Sequence, residues 1–286
     1  KIKSGEIEYE EADEGVVTST YITDDYVVQE PDHGSGGRLE KNVFICKYLH
    51  ENGVPVPEVI EYSEDPLYVV FERLEGVSLD QREQFTKEEY LEAVRNAGEA
   101  LSMIHEQEGF GYGKPDRDED FESADHEDWI EFVKSYVQGS LDYVESDRFR
   151  PIVKQASELV DLEDIPENPE SRVLHMDYTH DNIMVDQDQE VKIIDFDGVY
   201  YGDPRFELMY AELILSKRDE EVTEAFMDGY QQSKDLDLTP EMEKSYKALA
   251  VLRDARGGEW CLKNDKDVDF EDWSRGLQNV VENLEL

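Results

Sequence analysis

The sequence predicts an α+β chain of two lobes, a small β-rich lobe followed by a larger and mainly helical one. Two observations predict it. Residues 15–71 hold short β-rich segments around one helix-spaced segment, whereas most apolar residues after position 86 recur at helical spacing. A short tether near residues 72–77 separates the two regions. We therefore predict a first lobe at residues 1–73 and a second lobe at residues 74–286.

The elements of the first lobe follow from β-forming segments and turn residues. Two β-rich segments flank an Asp-Asp turn, which predicts a hairpin, and a glycine-rich segment follows as a loop. The predicted elements are strands at 15–23 and 26–29, a loop at 31–37, a helix at 40–49, a non-helical Val-Pro-Val-Pro segment at 54–57 and a strand at 67–71.

The second lobe is predicted to be helical. Thr86 and Glu89 form a capping box, in which each side chain can bond the other residue's backbone amide, so a helix begins there and runs to Glu106. Further helices are predicted at 129–144, 206–216, 220–232, 240–256 and 272–284, with an acidic connector at 161–169.

The charge balance excludes two classes of partner. The 286 residues include 72 acidic and 28 basic side chains, a formal net charge of −44. Nucleic acids and anionic membranes both require basic surfaces, so we expect neither as a partner. No apolar run is long enough to span a bilayer. Two cysteines are too few for a disulfide framework, and a reduced cytoplasm is the expected location.

The acidic residues are spread over the whole length of the chain, which indicates adaptation to salt. At molar salt the Debye length is about 3 Å, so the self-repulsion of such a chain is largely screened. The composition resembles that of proteins from extreme halophiles and favours a halophilic archaeal source. An acidic face for a cationic partner is the alternative, and it predicts a concentrated patch.

A different segment interrupts the helices and carries the candidate chemistry. Two short apolar runs, 183–186 and 191–194, flank a polar connection and predict a β-hairpin. Asn182 precedes the first strand and Asp195 follows the second, so we expect them side by side at the open end. An amide oxygen and a carboxylate are hard ligands suited to Mg²⁺. Asp177 lies in the preceding loop, close to the same end.

These residues also resemble a known family. The pattern His-x-Asp-x-x-x-x-Asn at 175–182, followed by Asp-Phe at 195–196, resembles the catalytic and metal loops of protein kinases. Its sequence is more similar to the corresponding motifs of aminoglycoside phosphotransferase-like kinases. Further matching segments are Val-Pro-Val-Pro-Glu-Val at 54–59, Phe-Glu-Arg-Leu-Glu-Gly at 71–76, Leu-Ser-Met-Ile-His at 101–105, Gly-Phe-Gly at 109–111 and Gly-Asp-Pro-Arg-Phe-Glu-Leu at 202–208. The resemblance implies a two-lobed protein-kinase-like fold.

The resemblance also implies an activity and a role for each matching residue. The activity is transfer of the terminal phosphoryl group of ATP or GTP to a hydroxyl of a small molecule. Asp177 would be the catalytic base that accepts or orients the hydroxyl proton, and Asn182 and Asp195 would bind magnesium. His175 would be a structural support of the loop.

The nucleotide end of the site departs from the family pattern. The resemblance implies that Glu72 and Leu74 contact the adenine through backbone groups. The family's third strand ends in a lysine or arginine that binds the nucleotide phosphates, whereas this sequence has Gln29 there. The helix that follows offers these charged or polar side chains near the same place: Arg38, Glu40, Lys41 and Asn42. Glu40 or Asn42 would be the helical partner of Gln29, and Arg38 or Lys41 could supply the missing cation.

Other interpretations stay open at the level of sequence. Loss of the strand lysine fits a non-catalytic nucleotide-binding module, and the chemistry also fits a protein serine or threonine kinase. The short passage from Gly198 to Gly202 lacks an activation segment of the protein-kinase type and so favours a small acceptor. Arg253 and Arg256, together with Trp260, fit a substrate pocket as well as they fit a helix surface.

Overall fold

The computed structural model describes residues 8–11, 18–31, 36–216, 219–233 and 237–285. Its first part is an antiparallel sheet with one helix packed against it. The elements are β1 (Glu10–Glu11), β2 (Thr18–Ile22), β3 (Tyr26–Pro31), α1 (Gly36–Glu51), β4 (Val59–Glu64) and β5 (Leu67–Glu72). The strands lie in the order β1-β2-β3-β5-β4. The predicted β-rich first lobe is therefore confirmed, while residues 15–17 and 32–35 of its predicted strand and loop lie outside the described residues.

Three elements of this part differ from the prediction, and one of them, the two-residue strand β1, was not predicted. Helix α1 begins at Gly36 rather than near residue 40, so two glycines assigned to the loop belong to its first turn. Strand β4 was not predicted. Its register against β5 shifts between Val59 and Glu61, and its residues are exposed or half-buried, so the sequence lacks the regular apolar alternation of a strand.

The second part is mainly helical, as predicted, with two small sheets. Its elements are β6 (Val77–Ser78), α2 (Lys87–His105), β7 (Tyr112–Pro115), β8 (Ala124–His126), α3 (Trp129–Tyr143), α4 (Arg150–Leu159), β9 (Arg172–Leu174), β10 (Ile183–Val185), β11 (Val191–Ile193), β12 (Tyr200–Gly202), α5 (Pro204–Ser216), α6 (Glu220–Ser233), α7 (Pro240–Lys263) and α8 (Phe270–Leu284). The capping box of Thr86 and Glu89 is present at the start of α2.

Helix α4 and five short strands, including the two-residue strand β6, were missed. Helix α4 spans only ten residues and buries Ile152, Val153 and Ala156, so it lacks the long apolar stripe on which the other helices were predicted. Strands β7, β8, β9 and β12 form one sheet in the order β8-β7-β12-β9, and each is three or four residues long. Strands of that length carry too few positions to show an alternation.

The β10–β11 hairpin is joined directly to the tether between the two parts. Strand β6 follows the tether and pairs with β10, giving the order β11-β10-β6. Gly76 has φ +109°, and a Cβ there would lie 2.1 Å from the carbonyl oxygen of Val185, so only glycine fits this crossing. Ile193 N also donates to Pro55 O at 2.9 Å. These contacts fix the hairpin to the tether and to the Val-Pro-Val-Pro segment.

The helices form much of the core around this hairpin. Helix α2 packs against α6, and α5 packs against α7. Cys46 is buried on α1. Among the described residues, no helix combines the length and apolar character needed to cross a bilayer.

Candidate active site

The register of the β10–β11 hairpin differs from the prediction by one residue. Ile194 N donates to Asn182 O at 3.0 Å, so Asn182 lies opposite Ile194 rather than side by side with Asp195. The prediction was wrong because the connection holds five residues, 186–190, of which Gln189 has φ +65°. Asp195 follows one position further out with φ +63°, where the chain leaves the strand.

A buried carboxylate that the sequence predicted only as an acid in a first helical turn holds the loop before the hairpin. Glu207 lies in the first turn of α5, as predicted, and is fully buried. Its carboxylate accepts the backbone N–H of His175 at 2.6 Å and also the backbone N–H of Met176. His105 Nε2, at the end of α2, lies 3.0 Å from the same carboxylate. Glu207 therefore joins α2 and α5 to the loop that carries Asp177.

His175 supports that loop from inside the core. It is fully buried, and its Nε2 lies 2.9 Å from the carbonyl oxygen of Ile194. Asp177 N donates to His175 Nδ1 at 3.2 Å. One ring nitrogen thus donates and the other accepts, which is the pattern of a neutral imidazole protonated at Nε2. The ring packs on Phe196 with centroids 4.6 Å apart. His175 therefore contacts both the loop that carries Asp177 and the loop that follows β11.

Asp177 is brought together with Asn182 and with an arginine of α7. Asn182 Nδ2 donates to the backbone oxygen of Asp177 at 2.9 Å and lies 3.3 Å from its Oδ2. Arg253 Nη2 lies 3.5 Å from Asp177 Oδ1. Burial raises the pKa of Asp177 above its ordinary value, and Arg253 opposes that rise. Trp260, predicted as a possible companion of Arg253, is exposed.

A second group of charges surrounds Asp195. Asp197 N donates to Asp195 Oδ1 at 3.2 Å. Burial, followed by the neighbouring Asp195, raises the pKa of Asp197 to about 6. Lys41 Nζ donates to Asp197 O at 2.7 Å, and burial lowers the pKa of Lys41 to about 8. The loop after β11 therefore carries two neighbouring carboxylates beside one half-buried ammonium group.

The donor set fits a hard divalent cation. Among the described residues, no group of three or more His, Cys, Asp and Glu side chains is arranged to hold a metal ion. The predicted set differs from such a group because one of its ligands is an amide: Asn182 uses its Nδ2 on Asp177 and leaves Oδ1 for another partner. The charge of Asp195 also raises the pKa of Asp177 and Asp197, and a cation between these groups would relieve that repulsion.

The two residues predicted at the phosphate end of the nucleotide have different surroundings. Gln29 lies in β3 opposite Val69, and its Oε1 is buried without a hydrogen-bond partner in the described part of the chain. Glu40 instead forms an ion pair with Arg117, whose Nη2 donates to it at 2.7 Å. Asn42 is buried and accepts the thiol of Cys46. In this group it is Lys41 that reaches the loop of Asp195.

The tether residues predicted to contact adenine lie at the end of β5. The Glu72 side chain accepts the backbone N–H of Glu58 at 3.1 Å and forms an ion pair with Lys192 of β11. Leu74 lines an open polar cavity of about 470 Å³, whose other lining residues are Asp24, Asp25, Arg73, Glu75 and Gly76. Asp177, Asn182 and Asp195 do not line this cavity.

A family model described as the phosphotransferase enzyme family matches residues 9–244. The chain belongs to the phosphotransferase enzyme family. The match covers most of the chain and includes every residue of the predicted site, from Gln29 to Asp195. It ends in the first turns of α7, before Arg253.

A related protein and a solved structure support this family membership. The chain is 24% identical over 178 residues to hygromycin-B 4-O-kinase of Escherichia coli, covering 59% of this chain but only about half (50%) of that protein's length. The fold resembles the crystal structure of aminoglycoside phosphotransferase APH(4)-Ia, with a TM-score of 0.69 and 18% identity over 96% of this chain and 93% of that one.

Two further solved structures share the fold. A thermostable mutant of the same phosphotransferase, in a ternary complex with ADP and hygromycin B, has a TM-score of 0.71 and 18% identity over 98% of this chain and 95% of that one. A choline/ethanolamine kinase family protein from Mesorhizobium loti has a TM-score of 0.64 and 14% identity over 97% and 87%. These likenesses confirm the predicted α+β, protein-kinase-like fold.

Proposed function

We propose that this protein transfers the terminal phosphoryl group of a nucleoside triphosphate to a hydroxyl group of a small molecule. The observation that carries the proposal is the grouping of Asp177, Asn182 and the Asp195 loop at one end of a hairpin, in a chain of the phosphotransferase enzyme family. Relatives with this fold include one solved with ADP and hygromycin B. The short connection from Gly198 to α5 leaves little chain for a protein-substrate platform.

Asp177 acts in this proposal as the group that holds the attacking hydroxyl. Its carboxylate is anchored by Asn182 and Arg253, and its backbone is anchored through His175 and Glu207. A base fixed in this way directs the hydroxyl oxygen at the phosphorus and accepts its proton as the bond to phosphorus forms. The leaving group is the nucleoside diphosphate, which departs in line with the attack.

Asn182 and Asp195 hold magnesium in this proposal. A bound magnesium ion neutralises charge on the nucleotide phosphates. Asn182 contributes Oδ1, because its Nδ2 is committed to Asp177, and Asp195 contributes the carboxylate oxygen that is not engaged by Asp197 N. In this arrangement Asp177 binds the acceptor hydroxyl, whereas Asn182 and Asp195 bind the metal at the nucleotide phosphates.

Removal of the Asp195 carboxylate tests the metal assignment. We expect Asp195→Ala to weaken magnesium-dependent ATP binding by ~100-fold, since one of two protein ligands is lost. Calorimetric titration of ATP with magnesium and with EDTA measures it. The matched control is Asp188→Ala, which removes an exposed carboxylate from the same hairpin. Equal magnesium dependence in Asp195→Ala and wild type would remove Asp195 from the metal site.

Lys41 supplies the phosphate-binding cation that Gln29 cannot supply. Its ammonium group lies on the Asp195 loop, within reach of the place where the proposed metal and phosphates meet. We expect Lys41→Met to raise the KM for ATP by ~10-fold or more, because a charge-assisted hydrogen bond is lost. Steady-state kinetics measure the change, with Lys47→Met, an exposed lysine of the same helix, as the control.

A second substitution separates phosphate binding from a purely structural role of Lys41. Gln29→Lys, added to Lys41→Met, returns a cation to the site from β3. Recovery of the KM for ATP supports a role in binding phosphate. An unchanged KM in Lys41→Met contradicts the assignment.

The neutral Gln29 also supports a second candidate, a module that binds nucleotide without turnover. The buried Oε1 of Gln29 is consistent with an altered phosphate end. ATP binding with neither transfer nor hydrolysis in the presence of magnesium would favour this candidate.

A further inference from the structure

A face of α7 that carries two arginines borders Asp177. Arg253 and Arg256 are three residues apart, so they share one face of the helix. Arg253 Nη2 lies 3.5 Å from Asp177 Oδ1. In the proposed function Asp177 holds the acceptor hydroxyl, and Asn182 and Asp195 face the nucleotide. The α7 face therefore borders the acceptor. It also lies beyond residues 9–244, the span that the family model matches.

Arg253 fixes a positive charge at this border. Its Nε and Nη2 donate to Met176 O at 3.0 and 2.6 Å, and Met176 has φ +60°. Its guanidinium lies 5.2 Å from the centroid of the Tyr210 ring. The contacts with Met176 hold the guanidinium in place without neutralising it, since a carbonyl carries only partial charge. Asp177 is its ion-pair partner among the described residues.

Arg256 is held by a hydroxyl group and two aromatic rings. Its Nη1 donates to Ser140 Oγ at 3.4 Å, and its guanidinium lies 5.0 Å from the Tyr136 ring centroid and 5.5 Å from that of Tyr143. In the part of the chain that the structure describes, Arg256 forms no ion pair. Uncompensated charge is informative here because acidic residues outnumber basic ones by 72 to 28. Such an arginine is available to an anion.

Tyr136 provides an independent observation at the same place. The side chain is 5 % exposed, and its hydroxyl is buried without a hydrogen-bond partner in the described residues. The groups that interact with it electrostatically are Arg253, Tyr200 and Arg256. A buried hydroxyl without a hydrogen-bond partner is unfavourable, and an oxygen atom of a ligand could accept its hydrogen bond.

We propose that Arg253, Arg256 and Tyr136 form an anion subsite beside Asp177, and that the acceptor is a hydroxy compound bearing a carboxylate or phosphate group. The inference rests on the proposed function, which places the acceptor at Asp177. The arginines attract the anionic group, the Tyr136 hydroxyl donates to it, and the hydroxyl to be phosphorylated then lies at Asp177. A polycationic acceptor would instead bring ammonium groups against two guanidinium groups.

Binding of four matched probes to the full chain tests the subsite without requiring turnover. The probes are D-glycerate, glycerol 3-phosphate, glycerol and 3-amino-1,2-propanediol, titrated by calorimetry at one ionic strength in the presence of magnesium and AMP-PNP. We expect at least one anion to bind ~10-fold or more tightly than glycerol and the amine. The stronger of the two anions identifies a carboxylate or a phosphate as the recognised group.

Variants assign the preference to the subsite. Arg256→Gln and Tyr136→Phe should reduce the preference for the anion, and Arg256→Lys should retain part of it. The control is Lys263→Gln, on the same helix, where Lys263 lies near Glu259 and Glu145. Each of three results would overturn the proposal. The first is equal or tighter binding of glycerol or the amine, and the second is binding of neither anion at ~10 mM, a concentration far above ordinary KM values. The third is a preference for the anion that persists in Arg256→Gln. Because the readout is binding, failure of phosphoryl transfer is detected separately.

Discussion

We expect the Asp177→Asn variant to lose turnover by ~10³-fold or more while it binds nucleotide as the wild type does. Asparagine is nearly isosteric with aspartate, so the hydrogen bond from Asn182 and the packing of the loop can persist. It cannot accept the hydroxyl proton. Single-turnover kinetics and calorimetric titration of ATP measure the two quantities independently.

The control for this prediction is Asp181→Asn, which changes an exposed aspartate four residues further along the same loop. That variant should keep its kcat, because its side chain is exposed and outside the proposed contacts. Full activity of Asp177→Asn would remove Asp177 from the role of base. A parallel loss of ATP binding would show that the substitution disturbs the nucleotide end instead.

We expect Glu207→Gln to destabilise the protein by ~3 kcal/mol and to lower kcat as well. The carboxylate accepts two backbone N–H groups and lies against His105, all in a fully buried position. Glutamine offers one oxygen and a donor group in the same space, so at least one N–H loses its acceptor. Thermal unfolding at a fixed salt concentration measures the stability.

The loss of kcat in Glu207→Gln follows from the loop that Glu207 holds. Without both hydrogen bonds, His175 and Met176 shift, and Asp177 follows them. Glu220→Gln, which changes an exposed acid at the start of α6, is the control and should unfold as the wild type does. Wild-type stability of Glu207→Gln would contradict the proposed anchor.

The sequence predicted the elements with strong local signals. Helix α2 was predicted from its capping box and apolar face, and the structure confirms both its start and its end near residue 105. The β10–β11 hairpin was predicted from two apolar runs. Its register was not, because the number of residues in the connection depends on Gln189 adopting φ +65°, and glutamine gives no local signal for that conformation.

The remaining site residues act over long distances in the chain. Glu207 contacts residues about thirty positions earlier, and Arg253 contacts a loop 77 positions earlier. Helical spacing assigns each residue to a face, but it does not identify what that face contacts. The sequence therefore predicted Glu207 only as an acid in a first helical turn. It fitted Arg253 to a helix surface as well as to a substrate pocket. The four residues predicted at the catalytic end, Asp177, Asn182, Asp195 and His175, came instead from one contiguous segment.

Transfer of labelled γ-phosphate from ATP to a panel of small hydroxyl compounds in molar KCl tests the proposed activity most directly. The full chain is incubated with magnesium or with EDTA, and products are separated from ATP and inorganic phosphate. We expect a labelled phosphate ester that forms with magnesium and is absent in EDTA and with Asp177→Asn. Magnesium-dependent ATP binding with no labelled ester, and no release of phosphate to water, would contradict it.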